Sequence, residues 1–237
     1  MKKYFLIYFL SLSALHADVG SDFVNNIFCP GELRTEEYLE LVAPYLPSNP
    51  YILEAGAHSG EDTIIIAKRW PQGPVFAFEP VPKFYNNLIN NLINHKIFNV
   101  IPHPYGLFTT TGNHTFYYSQ KCGGASSFLP DNGVVNYEDI TVTLSCKNLD
   151  EWASENQIDH IDFMWLDMEG AEYYVLSAAP NILNKTKVIL TEINFREFRK
   201  GSTQYAVLKE YLESQGFELI KIWGSPTWQA TGLFIKG

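Results

Sequence analysis

Three short stretches hold the side chains that could do chemistry, and each lies where a predicted strand ends. The first is 53-LEAGAHSGED-62, in which Glu54 precedes Gly56 by two residues and Gly60 follows four later. A strand running into a glycine turn and then a helix aims bare backbone N–H groups and a positive helix end at one spot, which suits the polar part of a nucleotide. Gly56 and Gly60 let backbone approach such a ligand closely, with Ala57 and His58 between them. The turn is neither G-x-G-x-x-G nor a P-loop, since no GK[ST] follows. The second stretch, 76-FAFEP-80, sets Glu79 and Pro80 at the tip of the next strand. Ligands of doubly wound sheets sit at the carboxyl ends of strands, where an acid can hold two ribose hydroxyls. The third, 166-LDMEGAE-172, gathers Asp167, Glu169 and Glu172. Unpaired carboxylates are expensive to bury. Capping at the start of a following helix accounts for Glu172 and is open to Glu169 as well, and Asp167 is left facing the pocket.

The elements that position these residues alternate. A leading helix is predicted over 35–46, with Leu39, Val42, Ala43 and Leu46 on one face. Strands follow at 51–55, 74–78, 98–102, 159–166 and 187–193, and helices at 61–70, 82–94, 171–183 and 203–215. The helix 82–94 should turn Phe84, Leu88, Leu92 and Ile93 inward. This alternation gives an α/β domain over 51–237, a parallel sheet with helices on both faces. The last strands, 217–223 and 232–236, have no helix between them and should form an antiparallel hairpin at one edge. Residues 114–119 and 141–147 alternate as strands around 122-CGGASSFLPDNG-133, which reads as a hairpin or flap with a mobile tip.

With 26 acidic and 17 basic residues the net charge is -9, which argues against nucleic acid as partner and for a small or neutral substrate. Cys29, Cys122 and Cys146 form no CxxC pair, so three free thiols are expected. If the chain is exported, Cys122 and Cys146 are the pair a disulfide would join. Lys2, Lys3 and the apolar run after them end in Ser13-Ala14-Leu15-His16-Ala17, the pattern of a secretory signal at 1–17. The alternative is an extra amphipathic helix. The run is too short to span a bilayer, and 18–50 reads as an N-terminal extension carrying the leading helix.

The motifs 52-ILEAGAHSGEDT-63, 77-AFEPVPKFYNNLINNL-92, 105-YGLF-108, 124-GASS-127, 149-LDEW-152, 162-DFMWLDMEGAEYYVL-176 and 190-LTEI-193 occur in the order seen in FkbM-type methyltransferases. The chain resembles that family from about residue 50 to 236. The resemblance implies a Rossmann-like class I methyltransferase fold, with a seven-stranded, mostly parallel sheet, an antiparallel last strand and a β-hairpin insertion at 105–147. It also implies S-adenosylmethionine as cofactor and O-methylation of a hydroxyl on a sugar, glycan or small natural product.

Carried over by position, Glu54 would contact the methionine amino end, Gly56, Ala57 and Gly60 would shape the turn around it, and His58 would line it. Glu79, followed by Pro80, would hold the ribose, and Asp167 would line the pocket near the methionine or the acceptor. Methyl transfer needs a group to take the hydroxyl proton. Asp167 and Glu192 are the first candidates, His103 and His114 the outside ones. Asp167 and Glu192 are also carboxylates of the kind a divalent ion takes, but with no further clear ligand no metal is expected. Two other classes stay open: a nicotinamide-dependent Rossmann enzyme and a non-catalytic module that recognises a glycan. The insertion 105–147 and the loop 194–202 should choose the acceptor. A signal-like start points to export and the cytosolic supply of the cofactor to the cytoplasm, and localisation stays open between them.

Overall fold

Residues 27–237 are described by the computed structural model. The signal expected at 1–17 and the start of the extension lie outside the described residues. In chain order the elements are β1 (Phe28–Pro30), α1 (Thr35–Val42), β2 (Ile52–Ala55), α2 (Glu61–Arg69), β3 (Val75–Phe78) and α3 (Pro82–His95). Then come β4 (Val100–His103), β5 (Gly106–Leu107), β6 (Gly112–Ser119), β7 (Asp139–Lys147), α4 (Leu149–Glu155), β8 (Phe163–Leu166), α5 (Glu172–Ser177) and α6 (Pro180–Asn184). The last are β9 (Val188–Asn194), α7 (Tyr205–Ser214), β10 (Phe217–Gly224) and β11 (Gln229–Lys236).

The main sheet runs β1-β10-β11-β9-β8-β2-β3-β4, and β5-β7-β6 form a smaller one. The parallel sheet with an antiparallel β11 is as expected, but an eighth strand, β1, pairs in parallel with β10. The terminal hairpin therefore does not close the edge, and β11 lies between β9 and β10. Three residues are too few for a period-2 pattern to show.

Successive residues of each central strand face opposite layers. Leu53, Phe76, Phe78, Met164, Leu166 and Ile189 pack with Trp152, Val175, Leu176, Leu208 and Leu212 of α4, α5 and α7. Ile52, Val75, Phe163, Val188 and Leu190 pack with Tyr38, Leu39 and Val42 of α1 and Ile66 of α2. Alternation places Glu54, Trp165 and Glu192 on this second side.

Several boundaries differ from the sequence reading for local reasons. Pro180 cannot continue a helix, so the expected 171–183 helix splits into α5 and α6. Ile93, expected inward, is 67% exposed at the end of α3, and Phe98, at the start of the expected third strand, is 88% exposed before β4. Helix α4 was not expected. Its seven residues are too few for an amphipathic pattern, but Asn148 caps it, its side chain accepting from Glu151 N at 3.1 Å.

Two glycines set the joints around β2. Gly60 (φ +89) begins α2, where a Cβ would come 2.5 Å from Leu88 Cδ1 of α3. Gly56 (φ +93) lies against β8, where a Cβ would come 1.8 Å from the Asp167 carbonyl oxygen. Gly56→Ala should therefore destabilise the fold by ~3 kcal/mol or more, since both the dihedral and a fixed backbone atom oppose it. Chemical denaturation checks this, and a loss under ~1 kcal/mol would contradict the close approach.

Candidate active site

The register of the parallel strands builds the site. Ala55 pairs with Phe78 and Leu166, and Leu166 pairs with Thr191. The next residue on each strand is Gly56, Glu79, Asp167 or Glu192, so these four stand in one row at the carboxyl edge. Two cavities of about 270 Å³ each open along it.

The first cavity is lined by Gly56, Ala57, His58, Glu79, Pro80 and Asp167. Glu79 is buried, its Oε2 accepting from His58 N at 2.9 Å and its Oε1 from Val81 N at 2.7 Å. One carboxylate thus ties the β3 tip to the β2 turn. Burial pushes it up to about 7, against the pull of those two N–H groups. His58 adopts φ +48, and its ring lies 3.9 Å from that of Phe84. Sequence reasoning missed Phe84, Phe116 and Phe128, which supply aromatic wall. Phe84 had been read only as a core position of α3.

Glu54 and Gly60 do not line this cavity. Glu54 is buried behind the turn, and burial drives its carboxyl up to about 8. A neighbouring Thr63 hydroxyl works the other way, yet Glu54 Oε2 and Thr63 Oγ1 both lack a partner within hydrogen-bond geometry.

The second cavity opens at the tips of β8, β9 and β11. Trp165, Asp167, Glu192, Gln229 and Thr231 line it, with Glu32 from the segment after β1. Gln229 and Thr231 were missed because β11 begins three residues before the expected start at 232. Asp167 is the one described residue common to both walls. Its side chain is open to the cavities, but the surrounding protein and the charges of Asp62 and Glu32 raise it to about 6. Carboxylate oxygens of Asp167, Glu169 and Glu192 lie within 4.8 Å of one another. Crowding adds to burial here: Glu169 rises to about 8, and Glu192 moves well above the carboxylate range. Glu172, the first residue of α5, is buried, and its Oε1 accepts from Met168 N at 2.8 Å. It thus ties down the turn before the helix, whose N-cap Ala171 makes no side-chain bond.

The flap is held across the row. Ser127 Oγ donates to Glu169 O at 3.1 Å, and Lys200 N donates to Pro130 O at 2.7 Å. Arg199, 1% exposed, donates to the carbonyls of Ala125 and Leu129 and to the Asp139 carboxylate, over the ring of Tyr137. Nothing in the sequence singled it out, because a buried arginine reads like any other charged loop residue. Its partners also anchor the loop 194–202 to the insertion, the two segments expected to choose the acceptor.

The remaining candidates face elsewhere. His103 is buried among Phe78, Tyr105 and Trp152, where burial lowers it to about 4, and it lines neither cavity. His114 lies near Thr110 O at 2.9 Å, also outside both linings. Cys29, Cys122 and Cys146 are free, as expected. Among the described residues, no helix is long and apolar enough to cross a membrane.

Residues 54–219 match the family model described as the methyltransferase FkbM domain. The chain is 27% identical over 186 residues to 2-O-methyltransferase NoeI of Sinorhizobium fredii, covering 73% of this chain and 74% of that protein. It is 24% identical to the hexuronic acid methyltransferase AglP of Haloferax volcanii, over 72% of this chain and 67% of that one. The crystal structure of an FkbM methyltransferase from Methylobacillus flagellatus shares the fold at a TM-score of 0.55 and 16% identity. That match covers 85% of this chain, which spans half the length of that protein.

Two expectations follow from the site. Folded Glu54, Glu79 and Glu169 keep their protons to about pH 8, 7 and 8, whereas an unfolded glutamate ionises near 4.5. Their burial therefore costs nothing extra below that value and weakens the fold progressively as pH rises to about 8. His103 has the opposite sense, but only below its unfolded value of 6.5. The Tm of the cofactor-free protein should accordingly fall between pH 6.8 and 8.5, and a flat or rising Tm would contradict the buried carboxyls. Arg199→Met strands the Asp139 carboxylate and frees the flap. Limited proteolysis should then cut within 122–135 at least tenfold faster, at a cost of about 3 kcal/mol in stability.

Proposed function

We propose, from the premise that the chain belongs to the FkbM methyltransferase family, that it methylates a hydroxyl oxygen of a sugar, a glycan or a small natural product. S-adenosylmethionine is its cofactor. Family membership sets aside the nicotinamide-dependent enzyme and the non-catalytic glycan module. The acceptor class draws support from two relatives, one named as a 2-O-methyltransferase and the other as a hexuronic acid methyltransferase.

The observation that carries the division of roles is Asp167 in the wall between two cavities. The first cavity fits the cofactor by its donor set. It has a backbone turn with left-handed Gly56, a two-oxygen acceptor in Glu79 for a diol, aromatic rings, and acidic surroundings for a cation. The cofactor supplies an electrophilic methyl on a positively charged sulfur. Glu79 spends one lone pair of each oxygen on His58 N and Val81 N, and the other pairs face ribose hydroxyls. Gly56, Ala57 and His58 shape the turn, with Pro80 continuing the wall beside Glu79. Glu54 and Gly60 act from behind it, the one beneath the strand tip and the other by letting α2 start against α3.

The second cavity takes the acceptor. Its hydroxyl lies beside Asp167, which accepts the proton as the oxygen attacks, and Glu192 fixes a neighbouring group of the acceptor. A carboxylate near 6 is mostly ionised at neutral pH yet still basic enough to accept that proton. The flap, which lines the first cavity through Gly123, Gly124 and Ser126 to Phe128, shields that cavity from water.

Glu79→Ala should weaken S-adenosylmethionine binding at least tenfold by calorimetry. Asp167→Asn should leave cofactor affinity within threefold but lower methyl transfer by a hundredfold or more, read with labelled cofactor against a panel of glycosides. In the parent protein turnover should decline as pH falls below about 6, when Asp167 takes up its proton. Unchanged cofactor affinity in the first variant together with unchanged turnover in the second would overturn the assignment.

A further inference from the structure

The second cavity has a charge character that narrows the acceptor beyond "hydroxyl compound". Three of its lining residues are acids, Glu32, Asp167 and Glu192, and among the described residues no Lys, Arg or His lines it. Glu169 adds a fourth carboxylate close by. Arg199, the cation that acts on Glu169, is already committed to Asp139 and to flap carbonyls.

The second observation is an unmet demand. Glu192 Oε2 is enclosed and has no hydrogen-bond partner. The adjacent Thr191 hydroxyl donates to the Glu192 backbone carbonyl, so it does not serve the carboxylate. This enclosed Glu192 oxygen without a donor converges on Glu169, whose side-chain donor is Gln229. It is poorly placed for an apolar or anionic ligand and well placed for one that brings several N–H donors and a positive charge. An ammonium group donating to three oxygens at about 2.9 Å holds them about 4.7 Å apart, within the 4.8 Å limit on the Asp167, Glu169 and Glu192 oxygens.

We infer that the acceptor is an amino alcohol, with the methylated hydroxyl and a protonated amine on neighbouring carbons, as in an amino sugar. This rests on the reading of the second cavity as the acceptor site. Vicinal placement follows from Asp167 belonging both to the cavity wall shared with the cofactor and to the three-carboxylate group. The amine sits between Glu169 and Glu192 and the hydroxyl against Asp167. Asp167, mostly ionised at neutral pH, keeps the amine protonated. The amine's charge displaces to solvent the protons that burial and crowding hold on Glu169 and Glu192. The amine lone pair is therefore unavailable, and the oxygen is the nucleophile. The C–S bond to the methyl breaks as the O–CH₃ bond forms. The hydroxyl proton goes to Asp167, and the products are the methyl ether and neutral S-adenosylhomocysteine. Uronates and phosphorylated sugars bring no cation to draw those protons off and meet the negative charge of Asp167.

The test uses the full chain saturated with S-adenosylhomocysteine, titrated by calorimetry or ligand-observed NMR with methyl glucosaminide, methyl glucoside and methyl glucuronide. The glucosaminide should bind at least thirtyfold tighter than the glucoside, and the glucuronide should not bind. Glu192→Gln should cut the amine preference below threefold while leaving cofactor affinity intact, a readout that loss of folding would not give. A glucosaminide that fails to bind or binds no better than the glucoside overturns the inference, as does binding of the glucuronide. Manganese that binds in a Glu192-dependent way and excludes the glucosaminide also overturns it, in favour of a metal site. These results leave the methyltransferase reading standing if S-adenosylmethionine still binds the first cavity, whereas loss of that binding in the parent protein overturns both.

Discussion

The contact between Gly56 and the backbone of Asp167 is the constraint on which the rest depends. Asp167 N donates to Ala55 O at 3.0 Å, and its carbonyl passes where any side chain on Gly56 would stand. Because β2 and β8 meet so closely, their tips end level, and the register carries that level to β3 and β9. The β2 turn and the Asp167 acid, to which the proposed function gives different partners, are thereby fixed side by side. Glu79 completes the arrangement from the far side by hydrogen bonding the same turn.

The row also concentrates charge that folding alone would avoid. Burial raises Glu54, Glu79, Glu169 and Glu192, and repulsion from neighbouring acids adds to it in all but Glu79. A core built only for stability would carry apolar residues or paired ions at those positions. The positive ligands proposed for the two cavities would offset this cost on binding, so their affinity would be in part the relief of a strain already present in the free protein. The left-handed backbone of His58 and Glu169 adds local strain beside the two middle members of the same row, Gly56 and Asp167.

Much of this was legible in the sequence, because strand–helix alternation is periodic and strand tips locate ligands. Gly56, Glu79 and Asp167 could be placed at one edge without coordinates, each being the first residue beyond an apolar run. What stayed hidden was non-periodic or short. Three residues of β1 and seven of α4 leave no pattern, and Pro180 divides a helix that apolar spacing joins. Arg199 and the second cavity depend on contacts between segments far apart in the chain. Asp139 lies 60 residues from Arg199, and Glu32 reaches a wall built mostly by β8, β9 and β11. The position of Glu54 behind the turn was also beyond reach, since alternation assigns a face but not the depth at which a helix covers it.

That the two cavities share only Asp167 bears on how such a protein can diversify. Under the proposed assignment the cofactor wall comes from β2, β3 and the flap, while the acceptor wall draws on β9, the β11 strand and the segment after β1. Substitutions at Glu32, Gln229 or Thr231 can therefore drift toward new acceptors without passing through forms that have lost the cofactor. Inheritance of the chemistry and exploration of substrates are uncoupled everywhere except at one aspartate.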